Sequence, residues 1–185
     1  MSDYEPYDQY MSRMYKEHEP LSLSPLLPLR GGWKNESTTR WHNRFIEMAK
    51  MVSTWSKDPS SQIGAVAIND ERRILATGYN GFPKGIADTE ERLNDRDQKY
   101  PRIIHAEMNA LMNALYSGVS LKDATLYVYG LPVCPSCTKC IIQAGIKHVV
   151  IPSVNTDKGN WQEVWEEQSL PMFKESGVQV TILGL

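Results

Sequence analysis

From residue 38 onward the hydrophobic positions of the chain follow two alternating rhythms. Trp41, Phe45, Met48, Val52 and Trp55 recur at spacings of four and three, the apolar stripe of an amphipathic helix. Thr38 or Thr39 is expected to cap it. The Asp58-Pro59 pair then marks a turn. Two short apolar runs, IGAVAIN at 63–69 and RILATGYN at 73–80, joined through the polar DER, predict a β-hairpin. The polar, mixed-charge stretch 87–101 predicts a solvated loop or short surface helix, most of whose charges are expected to do nothing specific. Helical spacing returns over 105–116, and ATLYVYG (124–130) reads as a buried strand. TKCIIQAGI reads as a helix ended by Gly145, KHVVIPS as a strand, Trp161, Val164 and Trp165 as a further helix, and VQVTIL (178–183) as a last strand. Strands alternating with helices predict a three-layer α-β-α domain on one mixed sheet of about five strands.

The first thirty-nine residues have another texture. Pro20, Pro25, Pro28 and the Gly31-Gly32 pair exclude one regular helix or a central strand. The expected organisation is an N-terminal extension or arm over 1–39 and a catalytic-type domain over 40–185. An arm laid over the domain or a neighbouring subunit and a loose tail fit these residues equally.

Composition narrows the functional classes. The chain has 185 residues, 41% hydrophobic and 23% charged, the balance of one globular domain with a sizeable core. A net charge of -2 argues against holding long nucleic acid, which needs a basic surplus over the phosphates. A local pocket for one small nucleotide stays open. No window supplies the roughly 20 apolar residues of a membrane helix, and the acidic, tyrosine-rich start has no signal-peptide pattern, so a cytoplasmic location is expected. Three cysteines, two of them at CxxC spacing, suggest reduced thiols available to a metal.

Two fragments carry candidate chemistry: IIHAEMNAL at 103–111 and PVCPSC at 132–137. A catalytic zinc takes three nitrogen or sulfur ligands, an open fourth position and a nearby base that stays off the metal. His105, Cys134 and Cys137 can supply the ligands, and Glu107 the base. If one helix starts near His105 and another just after Cys134, two helix N-termini face one ion, and their dipoles favour anionic sulfur. A structural site would need a fourth ligand, for which Cys140 and His148 are available. Cys140, however, groups with Ile141 and Ala144 on an apolar face, and His148 enters a strand. A redox CxxC would leave His105 and Glu107 without a role.

HxE followed by PCxxC is the signature of zinc-dependent nucleobase deaminases. The strings SKDPSSQIGAVAIND, GYNGFPKG, KYPRIIHAEMNALMNAL, DATLYVY and PVCPSCTKCIIQAGIKHVV resemble the successive landmarks of the zinc-dependent cytidine/deoxycytidylate deaminase family, and within it of the deoxycytidylate (dCMP) deaminases, from about Arg40 to the C-terminus. In one departure, Val133 separates Pro132 from Cys134. The resemblance implies a cytidine-deaminase-like fold and hydrolysis of dCMP to dUMP and ammonia, feeding dTMP synthesis. It further implies Zn2+ as cofactor and Glu107 as proton carrier. Asn80 would contact the sugar, although its place between Tyr79 and Gly81 also suits a plain turn. The backbone N–H of Ala106 would meet the base. Lys57, Ser60, Ser61 and Arg102 are candidates for the 5′-phosphate.

The loop Tyr79, Gly81, Phe82, Pro83 and Lys84 resembles part of a regulatory site, where dCTP activates and dTTP inhibits with the help of Mg2+ near a subunit boundary. The family implies a homohexamer. Two other functions stay open: a deaminase of another cytosine nucleotide or nucleoside, and a zinc-stabilised nucleotide sensor without turnover.

Overall fold

A computed structural model of the protein describes residues 36–152 and 159–184; the expected arm lies outside the described residues up to position 35. The first helix, α1 (Glu36–Ser53), begins ahead of Thr38 and Thr39. Both threonines therefore lie in its first turns and do not cap it. The apolar period that located the helix starts only at Trp41, so the polar residues before it carried no boundary signal. Phe45, Ile46, Ala49 and Val52 form its buried face. Trp55, expected on the same stripe, lies past the helix end, is 49% exposed and meets the Tyr79 ring edge-on. The chain turns at Ser53 and the helical period stops there.

The hairpin strands follow as β1 (Gly64–Ile68) and β2 (Ile74–Tyr79). Two short helices, α2 (Glu90–Asn94) and α3 (Arg96–Lys99), precede α4 (Ala106–Tyr116). Then come β3 (Thr125–Tyr129), α5 (Pro135–Gln143) and β4 (His148–Pro152). Gly145, at φ 77°, supplies the left-handed residue that ends α5. The last segment is α6 (Trp161–Val164), a π-helical turn Trp165–Ser169, α7 (Leu170–Ser176) and β5 (Gln179–Leu183).

The sheet has the order β2-β1-β3-β4-β5. β1 is antiparallel to both neighbours, whereas β3, β4 and β5 run parallel. This is the expected three-layer α-β-α architecture on a mixed five-stranded sheet. The period-two alternation of strand side chains builds a core on each face. Val66, Ile68, Tyr127 and Val150 meet α1. Ala65, Ala67, Leu126, Val128, Val149 and Ile151 pack on the opposite face with α4, α5, Trp165 and Phe173.

Gly78 sets how closely α4 lies on β2. A Cβ at this position would collide with the backbone of Ala106 and Ala110, so only glycine lets the N-terminal half of α4 rest directly on the strand. Backbone cannot move aside as a flexible side chain does. Gly78→Ala is therefore expected to destabilise the fold by about 3 kcal/mol, the upper range for overpacking, measured by urea denaturation.

On the α1 face, His42 Nδ1 lies 2.9 Å from Tyr127 Oη, and His148 Nε2 lies 2.9 Å from Thr181 Oγ1. The two imidazoles meet edge to face. Burial, then the neighbouring His42 and Lys147, lower the His148 pKa to about 4, and burial lowers that of His42. In the unfolded chain these rings titrate near 6.5, so at intermediate pH the unfolded state binds protons that the folded state excludes. Their stabilising contribution is complete above that value and is lost as pH falls toward 4. The melting temperature should fall between pH 7 and pH 4.5, and less steeply in His148→Gln.

Candidate metal centre and active site

The segment before α4 is held in line with β2. Gly81 and Ile104 exchange backbone hydrogen bonds of 3.1 and 2.8 Å, which extends β2 to the residue before His105. His105 is the N-cap of α4 at φ −70° and ψ 155°, and its ring makes no capping bond. Cys134 is the N-cap of α5 at φ −75° and ψ 161°, followed by Pro135 in the first turn, the place where a missing N–H costs nothing. The Cys137 N–H donates to Cys134 Sγ at 3.4 Å. Two helix starts therefore converge, each bringing orphan N–H groups and the positive end of a dipole.

His105 Nδ1 lies 3.3 Å from Cys134 Sγ and 3.5 Å from Cys137 Sγ. The three ligand atoms fall within 4.8 Å of one another, and no other such His/Cys/Asp/Glu group exists among the described residues. One imidazole nitrogen and two sulfurs suit a tetrahedral zinc site with one position open to water. The two candidates for a fourth protein ligand lie elsewhere: Cys140 packs against the core, and His148 bonds Thr181 on the sheet.

The electrostatics fit a cation. The hydrogen bond between the two cysteine side chains, with further help from His105, holds the Cys134 thiol well below the usual thiol range, while the same bond and burial push Cys137 up. His105 is raised, first by its hydrogen bond to Cys134. The pair thus favours the thiolate at Cys134 over Cys137, and a divalent cation would favour the second as well. Glu107 sits in the first turn of α4, is 3% exposed, and stands outside the three-ligand group. Burial raises its pKa to about 7 against the opposing charge of His105. A carboxyl poised there can take and return a proton at ordinary pH.

The remaining expected residues divide. Ala106 is buried in the first turn of α4, next to both His105 and Glu107. Asn80 is 4% exposed and fastened on both sides: Oδ1 accepts from the Ile63 N–H at 2.8 Å, and Nδ2 donates to the Ser61 carbonyl at 2.8 Å. The bonding does suit a turn residue, but one that ties two loops together. Ser61 lies in the loop before β1, its N–H donating to Asp58 at 3.2 Å. Lys57 is exposed and pairs with Asp88 at 2.9 Å. Arg102, half-buried, donates to the Gln98 carbonyl at 2.7 Å. Tyr79, Gly81, Phe82, Pro83 and Lys84 form the partly exposed exit from β2, and the Tyr79 carbonyl accepts from Asn109.

Sequence reasoning missed Asp58 and Lys99. Both are buried, with 3.1 Å between Lys99 Nζ and Asp58 Oδ1. Lys99 was expected to be an idle surface charge, and Asp58 only half of a turn signal. Burial pushes the Asp58 carboxyl up, but hydrogen bonds from Ser60, Lys99 and Ser61 outweigh it and hold the group below its ordinary value.

A sheet flanked by helices, with metal-type ligands on two converging helix starts beside a buried carboxyl, defines a hydrolytic metalloenzyme-type site. The sequence profile of the cytidine and deoxycytidylate deaminase zinc-binding region matches residues 39–153, and the chain belongs to that family. It is 40% identical over 152 residues to the deoxycytidylate deaminase of Mus musculus, covering 78% of this chain and 80% of that one. The Homo sapiens deoxycytidylate deaminase is 41% identical over 127 residues, 65% of this chain and 68% of that one. A crystal structure of dCMP deaminase from the cyanophage S-TIM5, in complex with dCMP and dUMP, superposes with a TM-score of 0.62 at 25% identity, covering 78% of this chain and 97% of that one.

The centre makes a direct prediction. Cobalt(II) titrated into metal-free protein should give thiolate-to-metal charge-transfer absorption that saturates at one ion per chain. Cys134→Ser and Cys137→Ser should each weaken that band and bind the ion orders of magnitude less tightly.

Proposed function

We propose that the protein is a zinc-dependent deoxycytidylate deaminase that hydrolyses dCMP to dUMP and ammonia. The observation that carries this reading is the pairing of an incomplete three-ligand group with a buried carboxyl that stays off it. Names alone would support the substrate; this pairing supports the chemistry. A binding module has no use for an ionisable group buried at such cost.

His105 Nδ1, Cys134 and Cys137 would hold the zinc. Bound there, zinc supplies a Lewis acid that brings the pKa of water toward 7. Glu107 takes a proton from the attacking water and delivers it to N3 of the cytosine, which makes C4 electrophilic. The water oxygen adds at C4. Glu107, a carboxylate again, then takes the proton of the C4 hydroxyl and gives it to the amino group, which leaves as ammonia as the C4 carbonyl of the uracil product forms and N3 keeps the first proton. One carboxyl thus serves as base and then as acid.

The remaining contacts are proposed on the resemblance to the family. The Ala106 N–H, at the start of α4, is an unpaired helix donor of the kind that meets a base carbonyl. Asn80 Oδ1 uses one lone pair on Ile63 and keeps another for a sugar hydroxyl. Lys57, Ser61 and Arg102 are the donors proposed for the 5′-phosphate. The exit from β2, Tyr79 to Lys84, is the proposed boundary site where dCTP with Mg2+ activates and dTTP inhibits a homo-oligomer, on the analogy of the family.

The test is ammonia release from dCMP, CMP, deoxycytidine and dCTP, each with and without chelator and with added dCTP or dTTP. We expect turnover of dCMP above the other substrates, loss of it on chelation, stimulation by dCTP and inhibition by dTTP. Glu107→Gln should keep one zinc per chain and lose several orders of magnitude in kcat. Turnover of a nucleoside or base in preference to dCMP would overturn the substrate, and normal turnover by Glu107→Gln would overturn the mechanism.

A further inference from the structure

The buried Asp58–Lys99 pair joins the loop between α1 and β1 to the segment that leads to His105. Lys99 ends α3. Its carbonyl accepts from the Arg102 and Ile103 N–H groups at 2.9 and 2.8 Å, so it anchors the strap that leads to Ile104 and His105. Its ammonium reaches across to the loop between α1 and β1, donating to Asp58 Oδ1 at 3.1 Å and to Ser60 Oγ at 2.7 Å. Asp58 Oδ1 in turn accepts from the Ser60 N–H at 2.8 Å, the Ser60 hydroxyl at 2.7 Å and the Ser61 N–H at 3.2 Å.

That loop holds Asn80 on three sides. Ser61 offers its carbonyl to Asn80 Nδ2, Ile63 its N–H to Asn80 Oδ1, and the Ser56 hydroxyl bonds the Asn80 carbonyl at 2.8 Å. Asn80 is followed by Gly81, which is bridged to Ile104. The links therefore close a ring: Lys99, Asp58, the 56–63 loop, Asn80, Gly81, Ile104, and back through the strap to Lys99. His105 leaves this ring toward the metal ligands, and Asn80 is a member of it.

From this closed ring we infer that Asp58 and Lys99 are positioning residues that fix the spacing between Asn80 and the His105–Glu107 segment, and so set the affinity for the nucleotide rather than the metal chemistry. A buried ion pair is seldom worth more to stability than a well-packed apolar pair of the same size. What it adds is direction: a carboxylate with several convergent donors and a lysine with two fixed acceptors allow one relative placement of the two segments. Neither residue belongs to the three-ligand group, so a change at the pair should leave the metal in place.

The inference rests on the deaminase reading, and the test separates the two. The double variant Asp58→Asn/Lys99→Met avoids leaving one buried charge alone, and Ser60→Ala is a milder cut that removes the hydroxyl's bonds to Asp58 and Lys99 but keeps the ion pair. Zinc content, kcat and KM for dCMP are measured together with amide hydrogen exchange. The wild type must first release ammonia from dCMP; its failure to do so sinks the deaminase reading. The ring is then judged by exchange alone, and unchanged exchange in both variants would overturn it.

In the active protein we expect one zinc per chain in both variants and kcat within about threefold of wild type. KM should rise tenfold or more in the double variant and about threefold in Ser60→Ala. Exchange should quicken at Ile63, Gly81 and Ile104 but not in β3. A KM within twofold of wild type in Ser60→Ala and in any folded double variant would overturn the inference. So would a loss confined to kcat, or loss of the zinc. Should the double variant fail to fold, Ser60→Ala decides alone, and because Ser60 is itself a candidate for the 5′-phosphate, a KM rise there without quicker exchange at Ile63, Gly81 and Ile104 would overturn the inference.

Discussion

The site depends on how closely one helix lies on one strand. Gly78 lets the backbone of Ala106 and Ala110 touch β2, and that contact puts the first turn of α4 beside the end of the strand. The Gly81–Ile104 bridge fixes the entry to the helix, and with it the point from which the His105 ring projects. α5 reaches the same place from the end of β3, two strands across the sheet. Ligands that are separated by twenty-nine residues in the chain, His105 and Cys134, become neighbours because two strand ends and two helix starts share one edge. Open α/β sheets commonly use that edge for binding, since strand ends leave a crevice there and helix starts bring donors to it.

Burial at this edge sets the chemistry as well as the geometry. The interior disfavours a charged Glu107 and raises its pKa to about 7, whereas the hydrogen bonds from the Cys137 side chain and the His105 imidazole favour a thiolate at Cys134. The same surroundings thus act in opposite directions on two acids, through desolvation for one and hydrogen bonding for the other. Asp58 shows a third balance, in which burial is outweighed by its bonds to Ser60, Lys99 and Ser61.

Most of the fold was legible in the sequence because its elements bury one face each. The hairpin, the strands at 124–130 and 178–183 and the helix over 105–116 were placed to within one or two residues by apolar spacing alone. Of the centre, the grouping of His105, Cys134 and Cys137 was legible because metal chemistry restricts residue type and spacing so tightly. What escaped was set by tertiary contact. Lys99 sits in the polar run NDRDQKYP, where local pattern says solvent, and only a carboxylate forty-one positions earlier makes its burial tolerable. Trp55 continued a helical period that the chain had already left. The start of α1 carried no apolar signal, and Asn80 could be recognised as a turn residue or a site residue but not as the tie between two loops.

X-ray absorption at the zinc edge of the purified, zinc-loaded protein tests the central claim most directly. A zinc ion bound by two sulfurs at about 2.3 Å and two lighter atoms at about 2.0 Å, one of the light atoms exchanging with solvent and displaced by an added anion, is the predicted result. A fully protein-ligated ion with three or four sulfurs, or one with no sulfur at all, would contradict it.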